Sequence, residues 1–175
     1  MKSIYNFFKK KKTVTYQEMA GNDNYNAFSQ ATLENTPVLG FDGQSIDAKV
    51  LQVYDGDTIT VAIPFLGSMF KWKCRMIGID TPEIRTRNDD EKRMGFMARD
   101  ALRARIADTV VRLECGKFDK YGRLLATVHA YEGDYGTNDT TNINQWMLDQ
   151  GFARSYDGGK REPWLPADTI MANVV

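Results

Sequence analysis

Residues that bind transition metals or form disulfides are scarce in this chain. One histidine and two cysteines occur among 175 residues. Cys74 and Cys115 are widely separated, and neither has a second cysteine or a histidine at the short spacing of a zinc site, which argues against structural zinc. We therefore expect both cysteines to be reduced thiols in or near the core, not a disulfide. We expect His129 to lie at the surface, at the end of a strand, without a catalytic role.

A long apolar run and a net charge are also missing. No run of about 18 apolar residues is present, so we expect no membrane span. The first residues lack the apolar stretch of a secretory signal, so we expect an intracellular location, with organelle or virion targeting by the basic N-terminus left open. Basic and acidic residues number 23 each. Because non-specific nucleic-acid binders are usually basic, this balance argues against tight bulk binding, although it permits a local basic cleft.

The length and the hydrophobic content of 42% fit one globular domain with an arm. Residues 1–35 are polar, and the first 12 positions contain five lysines and no acid. We predict a basic, polar arm at 1–35, loosely docked or disordered, followed by a folded domain at 36–175.

Alternating apolar residues predict three strands in the first half of the domain. Val38–Phe41 and Ala48–Tyr54 flank an Asp42-Gly43 turn and read as a hairpin. A second strand is predicted from Asp57 to about Phe65 and a third from Met69 to about Ile79.

Apolar residues then recur at helical spacing between Asp90 and Asp108. Strands are predicted at Val110–Cys115 and Leu124–Tyr131. A short helix is predicted at Asn142–Gln150, capped by one of the two preceding threonines and closed by Gly151. The order β-β-β-α-β-β-α predicts an α+β fold in which five strands form an OB-type barrel with two to three helices.

Carboxylates at the ends of two predicted strands have the chemistry of a site for a hard divalent cation. Asp57 and Asp80 supply oxygen ligands of the kind that calcium or magnesium prefers. Pro82 disfavours helical backbone at Thr81, so an extended Thr81 can direct its carbonyl at the ion. Glu83 lies just beyond these ligands, where it can hold a water molecule as a general base.

Two arginines are candidate phosphate ligands. A guanidinium grips a phosphate at two points and stabilises the charge that builds on phosphorus. Arg75 lies in an apolar strand, where it needs an anionic partner, and Arg123 follows a tight turn at a predicted barrel rim. Strict alternation places Arg75 and Asp80 on opposite faces, so we predict that the strand bulges or ends between them, at Gly78.

Each string alone has an ordinary structural interpretation. Residues 55–58 (Asp-Gly-Asp-Thr) form a common turn sequence, and residues 80–83 (Asp-Thr-Pro-Glu) are compatible with a helix start. Residues 119–123 (Asp-Lys-Tyr-Gly-Arg) suit a hairpin loop with a solvated arginine. Together, in this order, they favour cleavage of a phosphodiester with a divalent ion.

In these strings, and in Gly151-Phe152-Ala153 after the second helix, the chain resembles the staphylococcal nuclease (thermonuclease) family. The resemblance covers about residues 48–156. It implies a five-stranded OB barrel with helices and calcium-dependent hydrolysis of single-stranded DNA and RNA, leaving 3′-phosphate and 5′-hydroxyl ends. A monomer is expected.

The resemblance also implies the ligands of one calcium ion. These are Asp57, Asp80 and the Thr81 carbonyl, with Asp55 supporting them from nearby. Glu83 would position or deprotonate the attacking water.

Arg75 and Arg123 would bind the scissile phosphate, and Lys120 and Tyr121 the neighbouring phosphate. Tyr156 is the candidate for the substrate cleft, where the family has two tyrosines and this chain has one. The third family helix, at 160–175, is expected to be broken by prolines. The competing hypothesis is a catalytically inactive OB-fold module that binds nucleic acid; the retained carboxylates and arginines favour the enzyme.

Overall fold

The computed structural model describes residues 28–164. The chain divides into two compact units, residues 1–39 and 40–175. Most of the predicted arm (1–27) and the last eleven positions, which include Pro166, lie outside the described residues. In the first unit, residues 28–30 are helical, and a turn follows in which Thr32 N donates to Asn35 Oδ1 at 2.8 Å.

Five strands of the second unit close into a barrel, which confirms the predicted α+β OB-type fold. Neighbouring strands pair in the order β3-β2-β1-β5-β6, and β3 also pairs with β6 in parallel, which closes the barrel. The strands are β1 (Ser45–Val53), β2 (Thr58–Phe65), β3 (Ser68–Met76), β4 (Ile79–Asp80), β5 (Val110–Phe118), β6 (Leu124–Tyr131), β7 (Thr140–Asn142) and β8 (Arg154–Ser155). Between residues 40 and 164, the helices are α1 (Asp89–Ile106) and α2 (Ile143–Asp149).

The barrel interior is filled by the inward residues of strands that alternate in burial. On β6 every second residue from Leu124 to Ala130 is buried. Cys74 and Cys115 are free and buried, as expected. Burial raises the pKa of the Cys74 thiol to about 12 and that of Cys115 to about 11. No helix within residues 28–164 is long and apolar enough to cross a membrane.

The long helix begins one residue before its predicted start. Asn88 caps α1, because its side chain accepts hydrogen bonds from Asp90 N and Glu91 N. The predicted threonine cap of α2 is wrong. Asn142 is the cap, and the two preceding threonines, Thr140 and Thr141, pair with the end of β6.

The predicted hairpin arm at Val38–Phe41 is also wrong, because these residues form no strand. The Asp42-Gly43 turn is present, with Gly43 at φ +74°, but the Gly43 N–H donates to Cys115 O on β5 at 2.8 Å. The Phe41 ring is buried and meets the Trp72 ring edge-on at 5.0 Å between centroids. Within this stretch, burial of the ring therefore anchors Phe41.

The third strand ends at Met76, three residues before its predicted end, and this break positions the site. Gly78 adopts φ +78°, and the chain then forms β4, which pairs with β8 through Ile79↔Ser155 and Asp80↔Arg154. The break at Gly78 that alternation required is therefore present.

Candidate active site

A buried ion pair lies where the ends of β2 and β3 meet. Arg75 Nη1 is 2.7 Å from Asp57 Oδ2, and Arg75 Nη2 is 4.0 Å from Asp80 Oδ1. The three side chains are at most 8% exposed. The guanidinium also donates to Met76 O at 3.1 Å and to Ile79 O at 3.0 Å, on either side of the Gly78 turn. The buried arginine thus holds both carboxylates and the chain between them in one arrangement.

Burial dominates the electrostatics of this pair. It raises the pKa of Asp57 to about 6, although the charge of Arg75 acts in the opposite direction. Burial likewise lowers the pKa of Arg75, and the nearby Arg123 contributes to that lowering. The guanidiniums of Arg75, Arg161 and Arg123 and the carboxylates of Asp57 and Asp55 therefore influence one another at this end of the barrel.

Residues 55–58 pack closely against residues 80–83. A Cβ atom added to Gly56 would lie 2.9 Å from three side-chain atoms of Thr81, so only glycine fits there without displacement. Thr81 Oγ1 donates to Asp57 Oδ2 at 3.2 Å, and Thr58 Oγ1 donates to Asp57 Oδ1 at 2.9 Å. Asp55 Oδ1 accepts from Asp57 N at 3.2 Å. The structure thus brings together Asp55, Asp57, Asp80 and Thr81.

Glu83 lies at the edge of this cluster, and its side chain is 44% exposed. Its N–H donates to Glu91 Oε1 of α1 at 3.3 Å. The helix approaches this segment closely at Gly95, where an added Cβ would lie 2.7 Å from Pro82 O. Helix α1 therefore supports the segment that carries Glu83.

Arg123 precedes β6 at the barrel rim. Its Nε donates to Asp119 Oδ2 at 2.7 Å. Burial acts to raise the pKa of Asp119, but hydrogen bonds from Arg123 and from Tyr121 N lower it overall. The guanidinium lines a cavity of about 360 Å³ together with Asp55 and Lys73.

The other predicted substrate-binding residues are less closely tied to the cluster. Tyr121 is 72% exposed, 5.5 Å from the Arg123 guanidinium and 5.1 Å from the Lys120 ammonium. The Tyr156 hydroxyl donates to Gly159 O at 2.7 Å, within its own segment. Lys120 and Tyr121 therefore accompany Arg123, whereas Tyr156 lines a different cavity, together with Asp80.

Sequence reasoning missed three residues that contact Asp80 from the C-terminal segment. Arg161 Nε lies 2.7 Å from Asp80 Oδ1, and Arg161 also pairs with Asp57 and Glu83. Arg154 Nη2 lies 3.3 Å from Asp80 Oδ2, and Trp164 Nε1 donates to the same oxygen at 3.2 Å. Residues 160–164 are not helical, as expected of a proline-broken segment. The sequence does show several basic residues after Gly151-Phe152-Ala153. Strand and helix patterns, however, do not predict which residues these side chains contact.

The donor set suits a hard cation. Within residues 28–164, no group of three or more His, Cys, Asp and Glu side chains is arranged to hold a metal ion. Two buried carboxylates nevertheless face one position, and Asp80 Oδ1 is buried without a hydrogen bond. A guanidinium charge already stands among Asp57, Asp80 and Glu83, which shows that this position attracts a cation. These oxygens, supplemented by a carbonyl and water, fit calcium.

Comparison with known proteins agrees with this geometry. The profile of the staphylococcal nuclease homologue family matches residues 73–168. An uncharacterized endonuclease of Escherichia coli is 32% identical over 130 residues, which cover 74% of this chain and 72% of that protein. A thermonuclease of Staphylococcus hyicus is 40% identical over 82 residues, 46% of each chain.

An uncharacterized protein of Methanocaldococcus jannaschii is 32% identical over 128 residues, and the chain spans 58% of its length. The matched region contains Arg75, Asp80, Glu83 and Arg123, whereas Asp57 precedes the family profile match. The chain therefore belongs to the family of staphylococcal nuclease homologues.

Proposed function

We propose that the protein is a nuclease that uses one calcium ion to hydrolyse single-stranded DNA and RNA, leaving 3′-phosphate ends. The observation that carries this proposal is the buried Asp57–Arg75–Asp80 cluster. Burial of charged side chains costs desolvation free energy, and buried charged clusters are therefore typical of functional sites. Family membership and the names of the Escherichia coli and Staphylococcus hyicus relatives support the same class of reaction.

Asp57, Asp80 and the Thr81 carbonyl would hold the ion. Bound there, calcium supplies Lewis-acid stabilisation of the phosphoryl oxygen. Asp55 contributes indirectly, because its hydrogen bond to Asp57 N fixes the turn that presents the Asp57 carboxylate. The Thr58 and Thr81 hydroxyls fix the orientation of that carboxylate through one hydrogen bond to each oxygen.

Arg75 and Arg123 bind the scissile phosphate in this proposal. Their charges stabilise the extra negative charge of the five-coordinate phosphorus. Glu83 orients a water molecule and accepts its proton as the oxygen attacks phosphorus. The bond from phosphorus to the 5′ oxygen breaks, that oxygen takes a proton from solvent and leaves as a hydroxyl, and Glu83 returns its proton to solvent. Lys120 and Tyr121, beside Arg123, would bind the neighbouring phosphate, and Tyr156 is a candidate contact of the nucleic-acid chain.

The alternative function is binding of nucleic acid without hydrolysis. A binding module needs the cationic groups but has no use for a general base or for two buried carboxylates at the same position. Both are retained here, and the two aspartate carboxylates are almost inaccessible to solvent. These observations favour the enzyme.

A digestion assay with defined products tests the proposal. We expect the purified chain to cleave single-stranded DNA and RNA in calcium, and to leave both intact in excess chelator. Equal cleavage in chelator would contradict the metal requirement, and binding without cleavage would favour the inactive module. Product ends are identified by resistance to a 3′-exonuclease before and after phosphatase treatment.

The residue roles are tested by Arg123→Ala and Glu83→Ala. We expect each to reduce turnover by about two orders of magnitude or more, since each removes a group that acts on the transition state. Arg93→Ala is the matched control, because Arg93 is an exposed arginine on α1 that pairs with Asp90. Near-normal turnover of both site variants would remove the assigned roles. Light scattering of the same preparations tests the expected monomer.

A further inference from the structure

The segment that follows β8 turns back over the proposed metal ligands. Asp157 Oδ1 accepts from Gly159 N at 2.9 Å, and Gly158 adopts φ +92°, so the chain reverses at residues 157–159. Tyr156, the residue after β8, stabilises this reversal, because its hydroxyl donates a hydrogen bond to Gly159 O at 2.7 Å. We call residues 157–164 the strap. The reversal brings Arg161 to the two buried carboxylates.

The Arg161 guanidinium stands where a cation would bind. Its Nε lies 2.7 Å from Asp80 Oδ1, its Nη2 lies 3.7 Å from Asp57 Oδ2, and its Nη1 donates to Glu83 Oε1. These are the two proposed metal ligands and the proposed base. The Arg161 side chain is 39% exposed, whereas both aspartates are nearly inaccessible. The guanidinium thus closes the solvent side of the carboxylate pair.

Two further contacts hold the strap down. Trp164 is 6% exposed and donates from Nε1 to Asp80 Oδ2 at 3.2 Å. Arg154 stacks on the Trp164 ring at 4.3 Å and donates to the carbonyl oxygens of Glu162 and Pro163. The strap is therefore fastened by side chains at its far end as well as by Arg161.

We propose that Arg161 and a divalent cation compete for the same carboxylates, and that the strap closes the site until the ion displaces the guanidinium. This inference rests on the proposed metal site and goes beyond it. Asp80 Oδ1 cannot be a metal ligand while Arg161 Nε lies 2.7 Å away, because the two positive charges would then stand within a few ångströms of each other in a poorly solvated place. Ion binding therefore requires Arg161 to move away. Because the ion pairs of Arg161 must break, the observed affinity for the ion is lower than the affinity of the open site.

Calorimetric titration of calcium into wild type and Arg161→Ala tests the competition. We expect the variant to bind calcium about tenfold to a hundredfold more tightly, since charge-assisted bonds to two buried carboxylates no longer oppose the ion. Arg161→Lys, which keeps the charge and loses the forked geometry, is expected to give an intermediate affinity.

Lys160→Ala is the matched control. It removes one positive charge from the strap at the adjacent position, and Lys160 forms no ion pair with Asp57, Asp80 or Glu83. Its calcium affinity should change less than threefold. An equal gain in Lys160→Ala and Arg161→Ala would show that general charge, not occupation of the site, sets the affinity, and would overturn the proposal.

Hydrogen exchange of the full chain gives a second readout that is independent of cleavage. We expect calcium to increase exchange in peptides that cover residues 158–164, because the strap opens. Slower or unchanged exchange there on ion binding would contradict the proposal.

The failure of this inference is distinct from the failure of the proposed function. If Arg161→Ala binds calcium no more tightly than wild type while wild type still cleaves in calcium and not in chelator, the competition is refuted and the nuclease stands. If neither protein binds calcium and cleavage persists in chelator, both proposals fall.

Discussion

Gly95 tests whether the helix sets the position of the proposed metal and base residues. It lies within α1, where alanine is favoured over glycine by about 1 kcal/mol in helix propensity. An added Cβ would, however, lie 2.7 Å from Pro82 O, 3.0 Å from Glu83 C and 3.0 Å from a methyl of Ile84. Two of these three atoms are backbone, so a side chain cannot simply rotate away.

The size of the effect follows from these distances. An ordinary contact begins at 3.4 Å, so the backbone that links Thr81 to Glu83 must move by several tenths of an ångström. Overpacking of this kind costs about 1–3 kcal/mol, which offsets the gain in helix propensity. We expect Gly95→Ala to be between equally stable and about 2 kcal/mol less stable than wild type. Turnover should fall by about tenfold to a hundredfold, since displacement of catalytic groups is costly.

Urea unfolding and the cleavage assay measure the two quantities on the same preparation. Gly116→Ala is the control, because its added Cβ would meet Leu125 at no less than 3.4 Å. A Gly95→Ala protein that gains the full 1 kcal/mol of helix propensity and retains wild-type turnover would refute the reasoning.

Four further predictions concern Asp57, Asn144 and the two cysteines. Asp57→Ala should weaken calcium binding in calorimetry, because it removes a proposed ligand. An unchanged calcium titration would contradict the ligand assignment. Asn144→Ala should cost about 3 kcal/mol in urea unfolding, because it removes two buried hydrogen bonds to β6 and a partly buried one to the turn after β3; a loss below about 1 kcal/mol would be incompatible with that role. Cys74 and Cys115 should react with iodoacetamide at pH 8 far more slowly in the folded protein than in urea, since their raised pKa values leave few thiolates. Because unfolding exposes thiols with a pKa near 9.0, it releases protons above that pH, so stability should fall between pH 9 and 11.

Local patterns in the sequence predicted most of the barrel. Strand β6 was predicted with its observed bounds, because every second side chain from Leu124 is buried and the period of two is clear. Helix α1 was predicted within two residues at each end for the corresponding reason at helical spacing. The break at Gly78 was predicted from a conflict, since Arg75 and Asp80 could share a site only if the strand stopped between them.

Contacts that join distant parts of the chain were not predictable from local patterns. Arg161 meets Glu83 across 78 positions, and a lone arginine after a glycine turn carries no local signal of its partner. Asn142, not a threonine, caps α2, because Thr141 and Thr140 pair with Ala130 and Tyr131 at the end of β6. His129 itself lies within β6 with its side chain 17% exposed, so its predicted surface position at a strand end was wrong.

Diffraction from crystals grown with calcium and a short phosphorothioate oligonucleotide tests the central claim most directly. We predict an anomalous peak about 2.3–2.6 Å from carboxylate oxygens of both Asp57 and Asp80, with a phosphate held by Arg75 and Arg123 and with Arg161 displaced. A cation bound elsewhere, or none between these aspartates in a preparation that cleaves, would contradict the account.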